Sequence, residues 1–305
     1  LQGQDERGGE TMNAFRFIAL FLTVFVAPAF AQQPARDFYR GKTMSIIVPF
    51  TPGGYYDLAA RLVARHLPKY LDAEVGTIVV QNQPGGGGIS ATNRLYTTID
   101  KDGLTIATIA RGMPQLAMVG DGNIQFDPLK LTWLGSLSSY ADDGYLLTVM
   151  ASHWAKTLAD VQGQRKIHLA GVGLGSTNTT FALIARDLLR VNLDEVRGFP
   201  GAADIWLAME RGEVDGQVID LSAIMAARPQ LWREGKLRVL AQFGRKTRLP
   251  AAGDAPAARE IVTNPADREF LEFAESPFFI ALPLDRKSTR LNSSHIPLSR
   301  MPSSA

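Results

Sequence analysis

Three glycine-rich turns hold the residue types best suited to seize a small ligand. The first reads Pro49-Phe50-Thr51-Pro52-Gly53-Gly54-Tyr55-Tyr56-Asp57. Paired glycines at a helix start let several backbone N–H groups point at one spot. The helix end adds partial positive charge, and together they suit a carboxylate or phosphate. Asp57 falls in the first turn of that helix, where it either caps the turn or bonds a ligand hydroxyl or amine. A purely structural turn capped by Asp57 fits the spacing equally well. The second turn, Pro84 to Gly88, contains four consecutive glycines. Such a run costs conformational entropy and implies either close backbone approach to something or a mobile loop. The third turn, Gly171 to Thr180, reads GVGLGSTNTT. Ser176 stands where a dinucleotide fingerprint needs its third glycine. Its Ser, Thr and Asn residues suit contacts to a small polar ligand or an ordinary helix cap.

Outside these turns the chemistry is sparse. Arg111 directly follows an expected strand and could pair with a carboxylate, or simply lie on the surface. His66, His153, His168 and His295 show no metal-ligand spacing, and His66 reads as a core residue on the apolar side of its helix. Asp142-Asp143 reads as a solvated loop pair. Neither a P-loop nor a GxSxG elbow occurs. No metal, cofactor or catalytic set is expected.

The elements that must position these turns alternate. Strands are expected at Thr43–Phe50, Thr77–Gln81, Leu104–Ala110, Leu146–Ala151, Ile167–Val172, Val214–Asp220, Leu237–Phe243 and Phe278–Leu282. Helices are expected at Tyr56–Leu71, Ile89–Thr98, from the third turn to about Arg190, Ala202–Arg211 and Asp267–Ala274, with a short one after Asp220. In the first helix Leu58, Leu62 and the Ala59–Val63–Leu67 row form the apolar face. Strand–helix alternation means parallel, doubly wound sheets, whose ligands lie beyond the carboxyl ends of the strands. All three turns sit at that end.

The 305 residues are 46% hydrophobic and 20% charged, an ordinary globular mixture. Cysteine is absent, which excludes disulfides, thiolate catalysis, Cys-ligated zinc and iron–sulfur clusters. The basic excess sits in residues 286–305, where Arg286, Lys287, Arg290 and Arg300 have no acid beside them. The rest is nearly neutral, with no footprint for nucleic acid. Met12 opens the segment MNAFRFIALFLTVFVAPAFA, ending at Ala31. Its apolar run is shorter than the ~20 residues of a spanning helix and ends in a small–x–small site, so 12–31 reads as a secretory signal peptide. The mature protein is expected to be exported and soluble.

In order along the chain, IIVPFTPGGYYDLAARLVA (46–64), VVQNQPGGGGISA (79–91), KDGLTIAT (101–108), LAGVGLGSTNTTFALIA (169–185), FPGAADIWLAMERGEVDGQVIDLSAIM (199–225) and LRVLAQFGRKTRLPAAGDAP (237–256) resemble the solute receptors of tripartite tricarboxylate transporters, the Bug-type periplasmic family. The resemblance implies an α/β, two-lobed fold of periplasmic binding protein type II, two doubly wound sheets joined by a hinge. The first lobe would be 43–145 plus 244–285 and the second 146–243. Residues 286–305 look like a non-native tail. It further implies a monomer that closes on a small organic carboxylate in the periplasm and delivers it to transporter membrane subunits. Carried over residue by residue, the ligand positions are Thr51, Gly53, Gly54, Tyr55 and Asp57, then Gly87 and Gly88, then Ser176, Thr177 and Asn178, with Asp220 after the second-lobe strand. Tyr55 and Tyr56 replace small family residues and suit a narrower floor or an aromatic ligand. Arg111-Gly112-Met113-Pro114 replaces a small polar segment and either adds a charge for a second carboxylate or redirects the loop. The alternatives are a sensory carboxylate receptor and an exported α/β enzyme.

Overall fold

The computed structural model describes residues 38–71, 75–136 and 143–280. The signal-peptide and tail expectations lie outside them. Two sheets form, one per lobe. The first has strands β1 (Thr43–Val48), β2 (Thr77–Asn82) and β3 (Thr105–Ala107) in the order β2-β1-β3, all parallel. Central β1 is TMSIIV, with Met44, Ile46, Ile47 and Val48 buried, the near-continuous apolar run of a strand covered on both faces.

The second sheet has β4 (Tyr145–Met150), β5 (Ile167–Gly171), β6 (Leu193–Arg197), β7 (Gly216–Asp220) and β8 (Leu237–Phe243), ordered β6-β5-β7-β4-β8. Here the all-parallel expectation fails. β5 runs parallel to β6 and β7, but β4 is antiparallel to β7 and β8. Tyr145, where β4 begins, pairs with Asp220 and Phe243, where β7 and β8 end. The chain therefore enters the second lobe at the mouth that the other two strands run towards. Edge strand β6 was not expected, because LDEVR carries charges on three of five residues and buries chiefly Leu193.

Ten helices can be labelled among the described residues: α1 (Tyr55–His66), α2 (Ile89–Thr97), α3 (Met113–Met118), α4 (Leu158–Val161), α5 (Thr177–Asp187), α6 (Ala202–Arg211), α7 (Leu221–Ala227), α8 (Pro229–Arg233), α9 (Ala258–Ile261) and α10 (Pro265–Ile280). Helix α1 ends before Pro68, and Leu67–Lys69 tightens into a 3-10 turn. Its apolar face is rotated from the expected one. Ala60, Tyr56, Val63 and Ala64 pack on Ile46, Val48, Ile78 and Val80, whereas Leu58 and Leu62 are exposed. His66 is exposed too, correcting its placement in the core.

The expected strand at Phe278–Leu282 is instead the end of α10, with residues 281 and 282 outside the described set. The return segment packs its apolar residues into the second lobe's core rather than the first's, although Gln115 of α3 donates to Phe273 O and, at 3.3 Å, to Ser276 Oγ. Ala258, Val262, Leu271, Ala274 and Phe278 belong to the core beneath the second sheet, with Leu147, Phe181 and Phe243. Phe278 supplies the reason: its ring lies 5.1 Å from that of Tyr145 and 5.6 Å from that of Phe181, so helix α10 fills an aromatic gap in the second lobe. Glu275 of α10 is fully buried and accepts from Gly244 N–H at 2.7 Å, tying down the chain just after β8. Burial pushes its carboxyl up, against the pull of Arg259.

Candidate functional site

The carboxyl ends of β1, β5 and β7 face each other across the lobes. Gly54 precedes α1, Ser176 precedes α5 and Asp220 precedes α7. Between them the lobes enclose a cavity of about 70 Å³. Of the thirteen expected ligand residues, Gly54, Tyr55, Tyr56, Ser176, Thr177, Asn178 and Asp220 line it. Thr51, Gly53, Asp57, Gly87, Gly88 and Arg111 stand around it but not on its wall. Phe50, Tyr145 and Gln217 also line it and were not anticipated. Phe50 lies in the first turn, whereas Tyr145 begins β4 and Gln217 lies inside β7, with no turn motif to mark either. A more open groove of about 540 Å³ on the outer side of the second lobe, bounded by Lys156, Trp232, Arg238 and Asp254, contains none of the turn residues.

Each turn is held by its own side chains. Asp57 is buried and accepts from Gly53 N–H at 2.9 Å, Arg61 Nε at 2.9 Å and Asn82 Nδ2 at 3.0 Å. Desolvation pushes its carboxyl up, but the bonds from Arg61, Gly53 and Asn82 outweigh that and hold it below its ordinary value. Ser176 caps α5, its Oγ accepting from Thr179 N–H at 3.3 Å. Asn178 is fixed at both ends of its amide, Oδ1 accepting from Val172 N–H at 3.2 Å and Nδ2 donating to Val218 O at 2.7 Å. These side chains build the loops. What the loops offer inward is the first-turn N–H groups of α1 and α5, which have no intrahelical acceptor.

The glycines of the second turn approach the opposite lobe. Gly87 has φ +66°, and a Cβ there would strike Leu174 O and lie 2.9 Å from Gly173 O. Gly112 is similarly close, its virtual Cβ 2.7 Å from Gly175 O. The third turn thus docks between Gly87 and Gly112. Thr51 also crosses the cleft: Oγ1 donates to Asp204 Oδ2 of α6 at 2.7 Å, and its N–H donates to Pro200 O at 3.3 Å.

A charged cluster backs the cavity. Arg111 Nη1 donates to the Tyr145 hydroxyl at 2.9 Å, and the guanidinium stacks 5.5 Å from the centre of the Phe278 ring. Asp143 is buried, not solvated; its Oδ1 accepts from Gly144 N–H at 2.9 Å and Ser222 N–H at 3.1 Å. Burial pushes the Asp220 carboxyl up; Arg111 pulls it down and Asp143 adds a like charge. Burial likewise raises the Tyr56 phenol against the pull of Arg111.

Residues 59–270 match the receptor family of tripartite tricarboxylate transporters. The chain belongs to that family. A relative from Cupriavidus necator, described as the UPF0065 protein in the gbd 5' region, is 26% identical over 240 residues, 76% of this chain and 68% of its own. Protein BugT of Bordetella pertussis is 36% identical over 104 residues, 34% of this chain and 30% of its own. Among solved structures, the periplasmic binding protein BugD shares the fold with a TM-score of 0.58 at 18% identity, covering 79% of this chain and 84% of BugD. MatC from Rhodopseudomonas palustris, solved with malate, aligns with a TM-score of 0.55 at 24% identity over 78% of this chain and 85% of MatC. An R. palustris protein solved with adipate gives 0.58 at 22% identity, over 79% and 84%. The two-lobed α/β binding-protein fold of this receptor is thereby shown. Among the described residues no helix is long and apolar enough to cross a membrane.

Proposed function

We propose that this receptor captures a small organic carboxylate between its lobes by hinge closure, outside the cytoplasm, and delivers it to the membrane subunits of a tripartite transporter. The observation that carries the reading is the cavity onto which the N-termini of α1 and α5 open from opposite lobes. Helix ends of this kind stabilise an anion through oriented N–H groups and the helix dipole. Malate in MatC and adipate in the R. palustris protein support a carboxylate ligand. The signal-like segment 12–31 supports export. A ligand that prefers the closed form draws the lobes together by the difference in its affinity for the two states.

The test is a thermal-shift panel of mono-, di- and tricarboxylates. A ligand at one hundred times its Kd adds about 2.7 kcal/mol of stability, and a panel with no shift rejects the reading. Gly54→Val serves as the site control. A Cβ on buried Gly54 meets nothing nearer than Thr51 O at 3.9 Å, so the fold tolerates it, while the added methyls obstruct approach to the α1 amides. Loss of binding with unchanged circular dichroism is expected.

A further inference from the structure

Strand β8 is an edge of the second sheet, laddered on one side to β4. On its other side Gln242 N–H donates to Pro256 O at 3.0 Å, and Gln242 lies in parallel register with Ala257. Before that bridge the two segments part, and among the described residues no strand flanks residues 237–241 on this side. Leu240 and Ala241 are nonetheless buried, and buried backbone N–H and C=O groups call for partners. The groove of about 540 Å³ follows this bare edge, with residues 156–158 on one side and 251–256 on the other. Its volume lies in the range of ligand sites, and its two flanks differ. Leu237, Val239, Trp232 and Ala252 belong to the apolar cluster on one face of the sheet. Arg238 turns to the other face, where Nη1 donates to Ala155 O at 3.2 Å. Lys156 stands beside it, Nζ donating to His153 O at 3.2 Å. Among the described residues neither cation has an acidic partner. Asp160 is engaged by the Lys156 and Thr157 N–H groups, and Asp215 by His153 and His168. The one acid lining the groove among the described residues, Asp254, is exposed on the 251–256 wall.

We propose that β8 accepts an extended segment of a partner protein as a sixth strand, one in which acidic residues alternate with apolar ones. Side chains of a strand point alternately to the two faces of its sheet. The guest's apolar residues would lie with Leu237, Val239 and Trp232, and its acids beside Lys156 and Arg238. Backbone bonds to the free edge supply affinity, and the two unlike flanks supply selectivity. A second copy of this chain suits the edge less well. Its own β8 would bring another Arg238 to an edge that already carries two cations, and like charges across strands destabilise the pair. The guest site also stands apart from the cleft. Leu237 pairs with Met150 at the far end of β4, whereas Phe243 pairs with Tyr145 at the cleft. Strand addition and ligand capture therefore do not exclude one another, and this site does not depend on the carboxylate reading.

The probe is a capped heptapeptide of alternating valine and glutamate, used below the concentration at which it self-associates. It is titrated calorimetrically into the full protein beside a copy with lysine in place of glutamate. At low salt the glutamate peptide should bind several-fold tighter, and the gap should narrow as added salt screens the charges. Two further copies carry N-methyl groups on the valine or on the glutamate nitrogens, which removes donors from opposite edges of the strand. One copy should lose binding and the other keep it. Hydrogen exchange should slow at residues 237–241 in the complex and stay unchanged at the cleft turn 53–57. Lys156→Glu, an exposed change, should shrink or reverse the preference for glutamate, and Arg238→Gln should shrink it. Equal binding of the glutamate and lysine peptides, retained binding of both methylated copies, or unaltered exchange at 237–241 overturns the proposal. So does a dimer through β8, seen by sedimentation, that shuts the peptide out. Silence towards every peptide overturns it too and leaves the carboxylate-receptor reading standing.

Discussion

Asp57 gathers donors from three elements: the Gly53 N–H of the first turn, Asn82 at the end of β2, and Arg61 one turn along α1. Its position at a helix start left capping and ligand binding equally open, because both use the same carboxylate at the same place. What decides is Asn82, which only the parallel pairing of β1 and β2 brings near. Asp57→Ala strands three donors around a buried site and should lower the unfolding free energy by about 1–3 kcal/mol at neutral pH. The sign with pH follows from the depressed carboxyl. Its stabilisation is complete above the unfolded value of about 3.9 and is lost as pH falls through the folded one. Denaturation curves of wild type and variant should therefore converge in acid; a gap that persists there contradicts the assignment. Asp143 shows the opposite failure of position. A tandem acid in a loop reads as solvated, yet Gly144 and Ser222 N–H groups hold it inside.

Helix α10 and the second turn show what elements add. Phe278 is buried against Tyr145 and Phe181, and its ring closes to 3.4 Å from where a Cβ on Gly244 would stand. Phe278→Ala should cost about 3–5 kcal/mol, measured by urea denaturation, and a loss below about 1 kcal/mol would mean that α10 is not part of the second-lobe core. Local pattern found the start of this helix, at Asp267–Ala274, but not its end, because SPFFIALP is apolar enough to pass for a strand and because Pro277 lies inside it. The remaining strands were most legible where burial on both faces wrote a near-continuous apolar run, as in β1 and β4. Direction was not legible: nothing in YLLTVM tells β4 to run against its neighbours, since direction depends on where the chain enters the lobe. The Gly85–Gly88 run left close approach and a mobile loop equally open, and its partner was not legible. That partner is the third turn of the other lobe. Gly87→Ala combines a positive φ with a clash against Leu174 O. It should leave helix content unchanged while enlarging the radius of gyration measured by small-angle scattering. An unaltered radius would show that the turns do not meet in solution.

At the scale of the whole molecule, function depends on how much free energy separates the open and closed arrangements, and the Thr51–Asp204 bond is a direct measure of it. The bond joins the turn ahead of α1 to the first turn of α6, so it exists only when the lobes are together. Hydrogen bonds to charged groups contribute about 1.5–3 kcal/mol, and partial exposure of both residues puts this one near the lower end. Thr51→Val keeps the side chain's shape and removes the donor. The closed population then falls, and the apparent Kd of any ligand that needs closure rises by the same factor, about tenfold for 1.4 kcal/mol. Asp204→Asn should cost less, because an amide oxygen still accepts from the Thr51 hydroxyl. Since each lobe keeps its own core, neither variant should shift the thermal midpoint of the unliganded protein by more than a degree or two. Titration with the tightest ligand of the carboxylate panel, alongside scattering of the liganded protein, reads both quantities. Wild-type affinity in T51V would mean that closure is driven elsewhere, by the glycine contacts or by the ligand alone.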